Sequence, residues 1–178
     1  MNKQQFWELI AAAREQVIDP QESEAVAREA TSLLSSRPVE EIVAAEQVLW
    51  DLMVESYTSP LWAAAYIANG GCSDDGFDYF RGWLIAQGRE VFERAVADPD
   101  ALAELPVVQA SAVDGVDLEG EDMLGIAWNA HITATGDQLP PGSPTIRYPQ
   151  LDPAWAFDCS DSNEMARRLP RMAALYLE

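Results

Sequence analysis

Apolar side chains recur at helical spacing through most of the first hundred residues. Phe6, Leu9, Ile10, Ala13 and Val17 share one face of an expected helix over about residues 3–17. Asp19-Pro20-Gln21-Glu22 reads as an N-cap acid before a first-turn proline, with glutamate three positions on. A second helix is expected from there to about Ser35. Pro38 opens a third, through about Tyr57. Its Ile42, Ala45, Leu49, Leu52, Met53 and Ser56 lie on one face and Glu40, Asp51 and Glu55 on the other. Ser59-Pro60 starts a fourth, Leu61 to Ala68, which Asn69-Gly70-Gly71 stops. Ser73 caps a fifth, with Asp74 and Asp75 complementing its positive end. Gly88 breaks the pattern, which resumes through Val91, Phe92, Ala95 and Val96. Asp98-Pro99 starts a short turn to Leu105, and Pro106 is read as its end.

Beyond Pro106 the periodicity weakens. Val107 to Asp117 reads as a loop, and Glu119 to about Ile132 as one helix through Met123, Ile126, Ala127 and Ala130. Five prolines between residues 135 and 160 (Pro140, Pro141, Pro144, Pro149 and Pro153) predict an extended connection. Asp161 or Ser162 caps a last helix bearing Arg167, Arg168 and Arg171, which Pro170 bends or shortens. No alternating run is long enough to predict a strand. The fold expected is all-α, a single-domain helical bundle over 1–178. Its helical core spans about 1–134, and a Pro-rich arm over about 135–178 ends in a helix that packs back.

Length and composition agree with one folded unit. The 178 residues are 48% hydrophobic and 23% charged, ordinary for a globular chain. A chain of this size needs no disulfide or metal to hold a core. The apolar stretch Leu61 to Ala68 is far too short to cross a bilayer. Glu8 and Arg14 argue against a secretory leader at the N-terminus. Two cysteines do not make a disulfide framework, and the cytoplasm is the expected location.

Charge changes the picture. Thirty acids face eleven basic residues, a net charge of −19, and Lys3 is the sole lysine. So few cations exclude a nucleic-acid binder and disfavour an anionic membrane surface. The acids are also unevenly placed. Residues 38–80 hold Glu40, Glu41, Glu46, Asp51, Glu55, Asp74, Asp75 and Asp78 and no lysine or arginine. Residues 95–146 hold Asp98, Asp100, Glu104, Asp114, Asp117, Glu119, Glu121, Asp122 and Asp137, again with no lysine or arginine. If the two windows meet in space, they form an acidic face suited to a basic protein partner.

The densest run is Leu61-Trp62-Ala63-Ala64-Ala65-Tyr66, then Gly70-Gly71-Cys72-Ser73-Asp74-Asp75-Gly76-Phe77-Asp78-Tyr79-Phe80-Arg81-Gly82-Trp83. With Phe6-Trp7, Gly88-Arg89, Asp98-Pro99 and Arg168-Leu169-Pro170-Arg171, it resembles the domain-of-unknown-function family numbered 4240 over most of the chain. The resemblance implies a helical bacterial intracellular domain and carries no activity with it.

Chemistry must therefore come from the residues. Helical spacing puts Asp74, Asp78 and Arg81 on one stripe and Phe77, Phe80 and Leu84 on another. Phe77, Phe80 and Leu84 are expected in the core. Asp78 and Arg81, three apart, are expected to pair, with Asp74 in reach. Asp74, Asp75, Asp78 and Arg81 are the candidate binding residues, able to hold a basic ligand or a hard cation. Cys72 sits by a helix start, but Asp74 and Asp75 oppose a thiolate there. His131 is the lone histidine, and the chain has too few Cys and His for an ordinary zinc site. Asp114 to Asp122 lacks calcium-loop spacing, and Gly70-Gly71 lacks the lysine of a phosphate loop. No catalytic residue, metal or cofactor is assigned. Arg167, Arg168 and Arg171 are expected to pair with the chain's own acids.

Two functional expectations follow. The first is a non-catalytic interaction or regulatory module presenting an acidic face to a basic partner. The second is a small ligand- or divalent-cation-binding domain, or an enzyme, centred on Cys72-Ser73-Asp74-Asp75-Gly76-Phe77-Asp78.

Overall fold

The helix signals resolve into eleven α-helices and two 3-10 turns among the described residues, with no strand. The computed structural model describes residues 1–156 and 158–177. The N-terminal helices are α1 (Lys3–Gln16), α2 (Ser23–Ser35), α3 (Val39–Glu55), α4 (Ser59–Ala68), α5 (Asp74–Ala86) and α6 (Arg89–Ala97). A 3-10 segment (Pro99–Glu104) leads into α7 (Pro106–Asp114), α8 (Glu121–Leu124) and α9 (Ile126–Thr135). The arm contains a 3-10 turn (Pro153–Trp155) and ends in α10 (Ser162–Arg168) and α11 (Pro170–Tyr176).

Helix starts follow local polar chemistry. Asn2 and Gln5 close a reciprocal capping box on α1, each side chain bonded to the other's backbone N–H at 2.9 Å. The Ser73 hydroxyl accepts from the Gly76 N–H at 3.1 Å and starts α5. Asp161 accepts from the Asn163 and Glu164 N–H groups and starts α10. Asp19 departs from expectation. Its carboxylate accepts from the Gln21 N–H, which folds a turn, and α2 begins only at Ser23 without a side-chain cap.

Beyond Pro106 two readings are corrected. Residues 106–114 are a helix, not a loop, and Pro106 opens it. Proline fits the first helical position because its missing N–H has no acceptor there. The helix hides from periodicity because Val108 and Ser111 are buried while Val113 is 86% exposed. The expected single helix over 119–132 is two, α8 and α9, broken at Gly125. Of the two outcomes expected at Pro170 the early end is the one found: α10 stops at Arg168, and Pro170 opens a further helix, α11.

Helix α5 sits at the centre. Its second half is buried on every side, from Phe80 through Ala86. It packs on α2, α3, α4, α6 and α8, while α2 and α3 also clasp α9. Phe77, Phe80 and Leu84 are fully buried, as the spacing implies.

The C-terminal helix packs back, on α4, α7 and the Pro99–Glu104 segment. Asp100, 6% exposed, makes that dock. Its carboxylate accepts from the Arg171 and Met172 N–H groups at 3.0 and 2.9 Å, satisfying the free donors at the start of α11. The Arg171 guanidinium reaches Asp98, Asp100 and Glu104 at 2.6, 3.0 and 2.5 Å. Arg167 and Arg168 instead pair with Glu164 of their own helix. The accessible surface, 8974 Å², is near the roughly 8,600 Å² expected for this mass, so the arm lies against the bundle.

Candidate functional site

The expected pair on α5 forms, and it is more deeply set than an i,i+3 surface pair. The Arg81 side chain is 0% exposed and that of Asp78 is 32% exposed. The guanidinium donates to the Asp78 carboxylate, to the Phe77 carbonyl oxygen at 3.2 Å and to the Met53 carbonyl oxygen. Three rings enclose it. Its central carbon lies 4.5 Å from the Phe77 ring centre, 5.1 Å from that of Tyr57 and 5.6 Å from that of Tyr148. Phe77 in turn stacks on Trp62 at 4.7 Å. Arg81 therefore ties α3, α5 and the arm together. Burial pushes the Asp78 carboxyl up, Arg81 pulls it back, and Asp75 and Asp74 push it up again; the net direction is upward.

Asp74 and Asp75 stand exposed in the first turn of α5, outside this buried network. Their neighbours come from far along the chain. Glu121 beside Tyr79 is the largest influence raising that phenol, with burial next, then Asp75 and finally Glu119. Cys72 likewise feels burial first, then Glu119, and its thiol is pushed up to about 12. Burial and neighbouring acids thus oppose the thiolate form that a nucleophilic cysteine needs. The 38–80 and 95–146 windows thus meet at the start of α5.

The meeting is built by backbone contacts. The Leu118 N–H donates to the Asn69 side-chain oxygen at 2.9 Å. The Ser23 hydroxyl donates to the Glu119 carbonyl oxygen at 2.8 Å. The Gly120 N–H donates to the Tyr79 carbonyl oxygen at 2.9 Å. Segment 118–120 is so pinned to α2, to the end of α4 and to α5. The acids flanking it are turned outward: Asp117, Glu119, Glu121 and Asp122 are exposed.

These acids rim a groove of about 480 Å³. Glu22 and Glu24 from the start of α2 and Asp114 from the end of α7 complete the rim, with Trp83 in the wall. No basic side chain lines it among the described residues. Glu24 alone of these acids is in an ion pair among the described residues, with Arg28 at 3.5 Å, while Glu121 hydrogen-bonds the Tyr79 side chain. Val116, 61% exposed, adds an apolar edge. Two smaller hollows continue the surface through Asp122, one of them beside Glu46 of α3. Several other acids of the two windows are spent elsewhere. Asp98, Asp100 and Glu104 go to Arg171, Glu104 also to Arg94, Glu55 to Lys3 and Glu41 to Arg37. Sequence windows could not separate the acids that dock the arm from those left on the surface.

Two further features bear on chemistry. A hollow of about 290 Å³ lies between α4 and the arm, walled by Trp62, Tyr66, Leu151, Trp155 and both cysteines. Asp74, Asp75 and Asp78 are not among its walls. His131 is buried, its Nδ1 2.9 Å from the Asp137 carbonyl oxygen and 3.2 Å from the Thr135 hydroxyl, a structural setting. Among the described residues no group of three or more His, Cys, Asp or Glu side chains is placed to hold a metal ion. No helix of the described residues is long and apolar enough to cross a membrane.

The chain belongs to the family described as "Protein of unknown function (DUF4240)", whose model matches residues 1–132. The match takes in the Arg81 network apart from Tyr148, and the whole groove. Arg168-Leu169-Pro170-Arg171, which carried part of the resemblance, lies beyond it. No curated protein and no solved structure matches the chain.

Proposed function

We propose that this protein is a non-catalytic interaction or regulatory module of the bacterial cytoplasm that receives a basic segment of a protein partner on its acidic groove. The observation that carries the reading is the rim of Glu22, Glu24, Asp114, Asp117, Glu119, Glu121 and Asp122 around one concavity, with no basic side chain in its wall among the described residues. Carboxylates that serve solubility alone gain nothing by converging, since like charges at close range repel. Holding them together on a pinned backbone costs stability, which a cationic partner returns. The exposed Val116 edge supplies the apolar contact that gives such a surface grip. Phosphate backbones and anionic lipid headgroups are repelled by the same rim.

The competing reading is a small-ligand or divalent-cation site or enzyme at Cys72–Asp78. The hollow of about 290 Å³ beside Cys72 favours it. Against it stand Arg81, spent on internal bonds, and the thiol of Cys72, pushed up to about 12.

The test is fluorescence anisotropy with a labelled arginine-rich peptide at low and high salt. Binding is expected to weaken by roughly tenfold or more between 50 and 500 mM salt. The triple substitution Asp114→Asn, Asp117→Asn, Glu119→Gln is expected to abolish it. Salt-independent affinity, or full affinity in the triple variant, overturns the reading.

A further inference from the structure

Among the described residues Glu46 is the acid with a buried carboxylate oxygen that lacks any hydrogen-bond partner. It lies on the buried face of α3, between Ala45 and Leu49, both fully buried, and is itself only 7% exposed. One carboxylate oxygen accepts from the Trp50 indole N–H at 3.0 Å. The other is buried and has no hydrogen-bond partner. A carboxylate offers about four lone-pair sites, so one indole N–H leaves most of its capacity unmet. An isolated buried charge of this kind is among the costlier features a fold can carry. Structure alone would be better served by glutamine, which also accepts from Trp50 and carries no charge.

Glu46 lines a hollow of about 430 Å³ where α3, α8 and α9 meet. Glu121 and Asp122 of α8 and Asn129 of α9 supply further acceptors, and Trp128 supplies an aromatic wall that is 39% exposed. Glu121 and Asp122 also line the large groove, so the two concavities share these two acids and lie side by side.

We infer that Glu46 anchors an arginine side chain of the partner, whose guanidinium stacks on Trp128 and donates to Glu46, Glu121 and Asp122. The inference rests on the proposed function and names the contact that fixes the partner's register in the groove. The acceptors come from separate helices and form no metal-holding group among the described residues. Dispersed acceptors around an indole face suit a planar cation with five donors better than a compact ion. The second Glu46 oxygen is buried in the free protein, so the carboxylate turns toward the hollow as the arginine enters; the guanidinium then supplies the hydrogen bonds this oxygen lacks, and a cost present in the free protein is removed on binding.

Two measurements on the full chain test this. The first titrates N-acetyl-arginine amide into ¹⁵N-labelled protein and follows the Trp128 indole resonance, assigned with Trp128→Phe. Saturable movement is expected, weakened tenfold or more in Glu46→Gln, with N-acetyl-lysine amide weaker than the arginine compound. Glu46→Gln is expected to melt above the wild type, so its lost binding is not lost folding. The second repeats the arginine-rich peptide titration with Glu46→Gln, expecting at least tenfold weaker binding. An unmoved Trp128 resonance, or arginine-compound affinity unchanged in Glu46→Gln, overturns the inference. If the peptide binds in a salt-dependent way that ignores Glu46→Gln, the groove reading stands and this one falls. If the peptide fails to bind while the arginine compound binds through Glu46, the site stands and the proposed function falls.

Discussion

Gly82 and Gly120 lie in contact, backbone against backbone. A Cβ built on Gly120 would stand 2.6 Å from the Trp83 amide nitrogen and 2.8 Å from its Cα. Neither partner is a flexible side chain that can move aside. The approach sets the Gly120 N–H to Tyr79 carbonyl bond and brings Glu119 and Glu121 to the start of α5, where Asp75 already stands. Two residues without side chains thus place the charged ones.

Gly120→Ala is therefore expected to destabilise the fold by about 2 kcal/mol or more, the scale of overpacking between rigid neighbours. Urea denaturation followed by circular dichroism measures it. The variant is also expected to bind the arginine-rich peptide more weakly under conditions where it remains folded. Wild-type stability would show that segment 118–120 yields easily and does not hold the rim.

The Asp78–Arg81 pair makes a different prediction. Asp78→Ala leaves a fully buried guanidinium with two carbonyl acceptors and three ring faces. The expected cost is about 2 kcal/mol, below the 3–5 typical of breaking a fully buried pair because Asp78 is partly solvated. Adding Arg81→Met is expected to recover part of that loss, since no buried charge then remains. Thermal denaturation of the single and double variants checks both statements. A single variant as stable as the wild type would mean that the carbonyls and rings alone satisfy Arg81.

The first hundred residues could be read because their signals are local. Ser73 and Gly76, or Phe77, Phe80 and Leu84, lie within one helix, and spacing alone puts them on a face. The Asp78–Arg81 pair was legible for the same reason. Its depth was not: Tyr148 and the Met53 carbonyl arrive from 67 residues later and 28 earlier, and no spacing rule relates them. The groove was half legible. Charge windows pointed to an acidic face but counted Asp98, Asp100 and Glu104, which Arg171 engages across the fold. They also could not single out Glu46, because an acid among apolar residues on α3 reads like the exposed Glu40 and the half-buried Glu41 of the same helix. Helix α7 failed for a physical reason. Val113 is apolar yet exposed and Ser111 is polar yet buried, so the apolar stripe that announces a helix is missing.

Stability is expected to fall as pH rises from mildly acidic toward neutral, and Glu46 is expected to account for part of the fall. Burial raises its carboxyl above the ordinary value of 4.5, with the Trp50 indole N–H opposing. The folded protein therefore holds this proton over a pH range in which the unfolded chain has released it. Within that range the folded state binds more protons, so stability drops with rising pH, and the cost is complete above the folded value. Asp78, also raised by burial, adds a slope of the same sign. Glu164 has the opposite sign. Its bonds to Arg167 and Arg168 hold it at about 2, so its contribution is present above the unfolded value of 4.5 and is lost as pH falls toward 2. Stability should then peak at mildly acidic pH. General repulsion among excess acids gives the same trend, so the wild-type profile alone decides nothing. Glu46→Gln separates the two, because it removes one charge from a net of −19 and leaves the general repulsion almost unchanged. Melting temperatures of wild type and variant, measured from pH 4 to 8 at 150 mM salt, are expected to converge at the acid end. Toward neutral pH they should diverge, with the variant higher. Parallel profiles would mean that Glu46 titrates like an exposed carboxylate and carries no stored cost for a partner to relieve.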